Sequence, residues 1–514
     1  MTSKQQQMNL NPAWLMTCEE THSWSQVRDA CRPAMTGSPN WRRYLQFLEG
    51  KLMDFGAVDI MKNTWTFDRW WTSEDPSKWS LISDGEEVDV AFYGAYSGST
   101  PLKGITAELI FCDPRNPPPA MEGKIAVIPT MPHPQPPYDD YVQDFNPEKV
   151  PWPSGYLVDF TYNDYEYRVD DDSFPPIFEF VDPAETISFD IWWQLQQHLH
   201  FVALEGGAAG LVIVYDMAYD RTRGLYAFPV PDFYECPTLV LAREEGARVI
   251  ADAKSGKTAT LRLEAKVEPS EAYQLIAYLP GKDYGTAKDE QVLLVNHTDG
   301  PSITQDNGAL GLLAIVKYFS HIPQEDRQRT LTVFLDCRHY MPGMELVHYE
   351  SDWLIRNPEA KEPIVGMIHI EHLGELEYRE VDGRVEPTGY GEHSYLWVRN
   401  NPTLIDAAIR AAKNFSPSKL YVTAPERPGV HGREQQWWWG VGVIGLGGYE
   451  DDDRIPSLDV PGFGLASFLG NYWSIHSGID MWSVDQHMKQ VNMMTYLTKL
   501  LMNANLEDIQ PVKD

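Results

Sequence analysis

Five side chains able to bind a metal ion recur at or just after short apolar segments: His297, Asp306, His339, Glu371 and His476. His297 ends VLLVNH, Asp306 opens a helical stretch through DNG, and His339 follows VFLDCRH. Glu371 follows MIHIE, and His476 lies in YWSIHSGID. Imidazole nitrogen and carboxylate oxygen are the ligands that zinc prefers in a catalytic site. Zinc held in this way polarises a carbonyl and acidifies a bound water. A single histidine at a strand end is ordinarily a satisfied core or surface side chain. Five such groups, each where a sheet would aim them into one crevice, point to metal-assisted chemistry. Other chemistries lack their patterns: there is no Walker loop, no GxGxxG after a strand, no GxSxG elbow and no HExxH helix.

The elements that must position these groups are read from periodicity. From residue 272 onward strands and helices alternate. EQVLLVNH (290–297), RTLTVFLD (329–336), IVGMIHI (364–370) and GVGVIGLGG (440–448) read as strands. DNGALGLLAIVKYFS (306–320), GMELVHYESDWL (343–354), TLIDAAIRAAKNF (403–415) and the stretch 484–504 read as helices. Such alternation implies an α/β fold, a mostly parallel twisted sheet sandwiched by helices, whose sites lie beyond the carboxyl ends of the strands. Upstream, Leu45, Leu48, Leu52 and Phe55 recur at helical spacing over 41–56, and residues 59–67 alternate as a strand. A different texture fills 86–268. It has short β-rich runs at 124–130 and 209–216, helical stretches at 191–207 and 244–256, and a long proline-rich, aromatic, acidic loop across 112–185.

The series NHTD (296–299), QDNGALGLL (305–313), VFLDCRHYMPG (333–343), MIHIEHLG (367–374) and IHSGID (475–480) resembles the zinc aminopeptidase family, whose relatives include glutamate carboxypeptidase, glutaminyl cyclase and the transferrin receptor. EGKIAVI (122–128), GGAAGLVIV (206–214) and EEGARVIADAKSG (244–256) resemble the smaller β-rich α/β protease-associated domain often inserted in that fold. The resemblance implies catalytic-domain portions at 1–85 and 269–514 around an insertion at 86–268. It implies that Asp306 bridges two zinc ions, with His297 and Glu371 completing one site and His339 and His476 the other. Asp299 and Asp480 would support these ligands.

The departures from that family are equally specific. Its paired glutamates are replaced by Arg338 and His339. Imidazole still binds a metal, but a guanidinium with a pKa above about 12 cannot take a proton from a metal-bound water. With only Asp306 and Glu371 bringing negative charge and Arg338 adding positive, one zinc ion is expected rather than two. Arg338 is then expected to anchor a carboxylate or a developing oxyanion. Proton transfer would fall to Glu434, Asp336, His369 or His372. Arg433, Glu434 and Gln435 stand where the family usually has S-D-H, followed by Trp437, Trp438 and Trp439, which offer an aromatic wall for a small apolar substrate.

Three functional readings follow. The first is a metal-dependent hydrolase-like enzyme acting on an amide or peptide-type bond of a small substrate. The second is a redirected metalloenzyme (lyase, cyclase or acyl transfer), and the third a non-catalytic binding or scaffold relative. Composition narrows the partners. Lys plus Arg number 42 against 74 Asp plus Glu, a net charge of −32, which disfavours nucleic acid and anionic lipid. Hydrophobic residues at 43% supply ample core. Five cysteines without CxxC spacing read as free thiols in a reducing compartment. No basic-then-apolar leader and no 18-residue apolar run is present, so a cytoplasmic protein is expected, with homo-oligomerisation left open.

Overall fold

The computed structural model describes residues 9–73, 75–113, 116–129, 155–159, 165–168, 206–226, 233–341, 349–392, 394–399, 401–418, 420–423, 458, 460–467 and 474–511. The expected strand at 440–448, the helix at 191–207 and most of the loop at 112–185 lie outside these residues.

Two helices open the chain. α1 (Cys18–Asp29) begins with a capping box: the Thr17 hydroxyl accepts from the Glu20 amide, and Glu20 reaches back to the Thr17 amide. This reciprocal arrangement satisfies amides that the first helical turn would otherwise leave open. α2 (Pro39–Asp54) starts on a Ser38 cap with proline at its first position, and buries Trp41, Tyr44, Leu45, Leu48 and Leu52.

β1 (Val58–Thr72) pairs antiparallel with β2 (Ala265–Leu279), in register from Met61 opposite Ile276 to Thr72 opposite Ala265. The chain leaves the main sheet along this ribbon and returns along it. Between the two passages lies an eight-stranded sheet, whose central strands Ile105–Phe111, Ile125–Pro129, Gly210–Val214 and Thr238–Leu241 are parallel neighbours. Its strand Trp79–Ser83 lies ahead of the expected boundary at residue 86. This sheet has its own hydrophobic core, including Trp79, Phe92, Ile125, Leu211 and Leu239.

The main sheet continues with β3 (Gln291–His297), β4 (Thr330–Asp336), β5 (Ile364–Ile370), β6 (Ser394–Val398), β7 (Leu420–Thr423) and β8 (Gly462–Ser467). Its order is β1-β2-β4-β3-β5-β8-β6-β7, with the pair Gly155–Asp159 and Tyr165–Arg168 at the far edge. β4, β3, β5 and β8 are mutually parallel. Every residue of β3 and β4 is buried, which explains the apolar centres VLLV and VFL. α3 (Gly308–Ser320), α4 (Pro402–Phe415) and α5 (Val484–Asn503) pack against this sheet. α3 enters so closely that a Cβ at Gly308 would collide with the Asn296 side-chain amide and the Ile370 carbonyl. That approach is open only to glycine. Among the described residues no helix is long and apolar enough to cross a membrane.

Candidate metal centre

The carboxyl ends of β3, β4 and β5 lie side by side, where a parallel sheet assembles sites. β3 and β5 are tied at this end by the Asn296 amide, which donates to the Ile370 carbonyl at 2.6 Å. Just beyond β5, the Glu371 amide donates to the Leu465 carbonyl of β8 at 2.7 Å, so Glu371 is held in line with the sheet. His372 then turns sharply, with φ at +52°, a left-handed conformation that non-glycine residues rarely adopt. Ser467 holds the turn from both sides: its hydroxyl donates to the His372 carbonyl at 2.7 Å, and its carbonyl lies 3.0 Å from His372 Nδ1.

These constraints bring three ligand-capable side chains together. One atom each from His297, Glu371 and His372 lies within 4.8 Å of the others, the one such group among the described residues. His297 Nε2 stands 3.7 Å from Glu371 Oε1, and His372 Nε2 stands 3.5 Å from Oε2. His297 Nδ1 lies 2.8 Å from the Asp299 carbonyl. A carbonyl oxygen only accepts, so the protons of both rings sit on Nδ1 and both Nε2 atoms present lone pairs to Glu371. Burial pushes His297 down to about 4, so its ring is neutral at pH 7. Burial pushes Glu371 up, but the neighbouring His369 and His297 outweigh it and bring the carboxyl down to about 2. An ionised carboxylate thus faces two nitrogen lone pairs in a dry site. His297 Nε2 and Glu371 Oε2 are buried without a hydrogen-bond partner, and Glu371 Oε1 meets only His369 Nε2. Lone pairs converging on one point repel unless a cation lies among them, and this donor set suits zinc.

Two more histidines border the group. His369 Nε2 lies 2.8 Å from Glu371 Oε1, as alternate residues of one strand face allow. The His339 ring is 4.1 Å from that of His297, and its Nε2 is 3.2 Å from the Gln305 side-chain amide. Burial and the adjacent His297 hold His339 well below the usual histidine range. Asp299 supports the site through its backbone: its carbonyl orients His297, while its carboxylate accepts from the Tyr340 amide at 2.6 Å. Burial pushes that carboxyl up to about 8.

The remaining expected residues are placed elsewhere. Asp306 is held by Arg28, whose Nε lies 2.5 Å from Oδ1 and Nη2 2.8 Å from Oδ2, with both side chains fully buried. Arg338 turns toward Asp336 and Asp352, at 2.6 and 2.5 Å, so a substrate-anchoring role does not fit its position. The reason is electrostatic: two buried carboxylates claim its guanidinium. His476 is exposed and lines a groove of about 300 Å³ with Asp220, Arg223, Ser474 and Asp480, and its charged neighbours are Arg223 and Arg32. Convergence of five ligands therefore narrows to His297, Glu371 and the adjoining His339, joined by His372. Glu434, Trp437, Trp438 and Trp439 lie outside the described residues.

Comparison with known proteins gives a consistent fold. No family model matches the chain, and no curated protein matches it. Solved structures do. An aminopeptidase from Aneurinibacillus sp. strain AM-1 matches at 13% identity and TM-score 0.52, covering 97% of each chain. A zinc aminopeptidase from Bacillus subtilis matches at 13% identity and TM-score 0.55, over 96% of this chain and 98% of that one. A peptidase precursor from Shewanella amazonensis matches at 15% identity and TM-score 0.57, over 97% and 99%. At these identities the likeness establishes a shared fold.

Proposed function

We propose that this chain is a zinc-dependent hydrolase-like enzyme of the zinc aminopeptidase family, acting on an amide or peptide-type bond of a small substrate. One ion would be held by His297, Glu371 and His372. The observation that carries this reading is the convergence of buried ligand atoms, His297 Nε2 and Glu371 Oε2 without hydrogen-bond partners, beside His372 Nε2. Zinc bound to such a set polarises a carbonyl and brings the pKa of bound water toward about 7.

The chain's own residues have definable tasks. The Asp299 and Ser467 carbonyls fix the tautomers of His297 and His372, turning both Nε2 atoms toward Glu371. His369, with its proton on the Nε2 that meets Glu371, orients that carboxylate. His339, held neutral by burial with its ring 4.1 Å from that of His297, is the base candidate. Arg338 cannot serve as base, and its two carboxylates already occupy it. We read the eight-stranded module as a protease-associated domain that borders the substrate, and the compartment as cytoplasmic.

A second reading, a non-catalytic homologue that binds metal, is favoured by one observation. The position after Cys337 carries a sealed ion pair in place of a proton-accepting carboxylate. Elemental analysis of purified protein and hydrolysis of aminoacyl anilides test both. Bound zinc with turnover supports the enzyme, and bound zinc without turnover on any amide or ester supports the binding protein. Absence of zinc even after its addition ends both.

A further inference from the structure

Asp306 is a fully buried carboxylate on the segment between β3 and α3, and it is already neutralised from within. The residues on either side of it touch the proposed centre's supports: the Gln305 amide lies 3.2 Å from His339 Nε2, and the Asn307 side chain bonds both the carbonyl and the amide of Leu373, at 2.6 and 2.8 Å. Between them, Asp306 presents both carboxylate oxygens to Arg28. Arg28 comes from α1 and is fully buried; its Nη2 also donates to the Ser302 and Gly300 carbonyls at 2.9 and 3.2 Å. The Tyr44 ring lies 5.3 Å away, and the Tyr44 hydroxyl donates to the Asp306 carbonyl at 3.3 Å.

We propose that Arg28 does the electrostatic work of a second metal ion: it occupies Asp306 as a permanent cation and thereby limits the centre to one ion. This rests on the metal reading above. A carboxylate buried without a counter-ion is strongly unfavourable, so Asp306 must be matched by some cation. A guanidinium binds both oxygens in its planar fork, cannot lose its proton and needs no uptake from solution. A divalent ion would have to displace it and leave Arg28 buried and unpaired. Asp306 is therefore a carboxylate withdrawn from metal binding, and Arg28 is a positioning residue for the centre.

Zinc stoichiometry tests this directly, by titrating zinc into metal-free protein with calorimetry and elemental analysis. The native chain is expected to bind one equivalent tightly. Arg28→Met is expected to bind a second equivalent, because Asp306 then needs a new counter-ion. Arg28→Met combined with Asp306→Asn is expected to return to one. Two tight equivalents in the native chain overturn the proposal and leave the metal reading standing. One equivalent in folded Arg28→Met also overturns it. No equivalent in the native chain overturns both. Should Arg28→Met fail to fold, the native stoichiometry and Arg28→Lys, which keeps a cation and is expected to bind one, still decide the matter.

Discussion

Two ionic groups lie buried at the ends of the strands that flank β3, and they are finished in opposite ways. Beyond β4, Arg338 is closed by Asp336 and Asp352, and Gln274 donates to both carboxylates at 3.1 and 2.9 Å. Asp352 also accepts from the Leu354 amide at 2.8 Å, capping a short helix. Beyond β5, Glu371 faces three histidine nitrogens, and of these only His369 Nε2, at 2.8 Å, is near enough to donate to it. Burial is the same in both. What differs is satisfaction: the first group holds itself together, whereas the second is arranged for a cation the chain does not supply. Sequence chemistry assigns Arg338 to the reaction because of its position after β4, but its partners make it architectural.

The largest effect is expected at the closed group. Arg338→Met leaves Asp336 and Asp352 buried without a counter-ion and should cost about 3–5 kcal/mol in denaturant unfolding. A cost under about 1 kcal/mol would mean the network is not structural.

Acid should expose the open group next. His297 has an ordinary value of 6.5 and about 4 in the fold, because burial disfavours its charged form. A lowered base contributes stability that is full above pH 6.5 and is lost as the pH falls through about 4. For metal-free protein the loss should be about 3 kcal/mol, read from urea midpoints across that window. A His297→Gln variant should show a flatter profile there. An unchanged profile would refute the assignment.

Glu371→Gln separates the groups more finely. Zinc at a hundredfold excess over its dissociation constant should stabilise the native chain by about 2.7 kcal/mol and the variant not at all. Without metal, the variant should equal the native chain or exceed it by about 1 kcal/mol, since it loses a buried charge that has no counter-ion. Thermal melts with and without zinc provide the readout. The smallest effect is expected at Ser467→Ala. Losing the hydroxyl that holds the His372 carbonyl should cost about 1 kcal/mol and weaken zinc binding roughly tenfold.

What the sequence discloses follows from how local each cause is. β3, β4 and β5 were legible almost to the residue because all are apolar runs buried within a parallel sheet. α3 starts two residues later than DNG suggests, at Gly308, because the backbone must first pass under Asn296 and Ile370. His297 and Glu371 follow directly from their strands. His372 does not, since strand alternation sends consecutive side chains to opposite faces and only the positive φ brings it back beside Glu371. Arg28 gives no sign in the local pattern of α1, because its partner is 278 residues away. Asp352 is hidden for the same reason: its meeting with Arg338 depends on where the chain after β4 returns.

That distance between Arg28 and Asp306 also affects biogenesis. A chain emerging from the ribosome at about 5–20 residues per second makes Arg28 some tens of seconds before its partner exists. Throughout that interval α1 carries a cation destined for the interior with nothing to receive it, so docking of the amino-terminal helix must await synthesis of the segment through residue 306. Nascent chains arrested before that point should keep α1 open to proteases, and those arrested well beyond it should protect it.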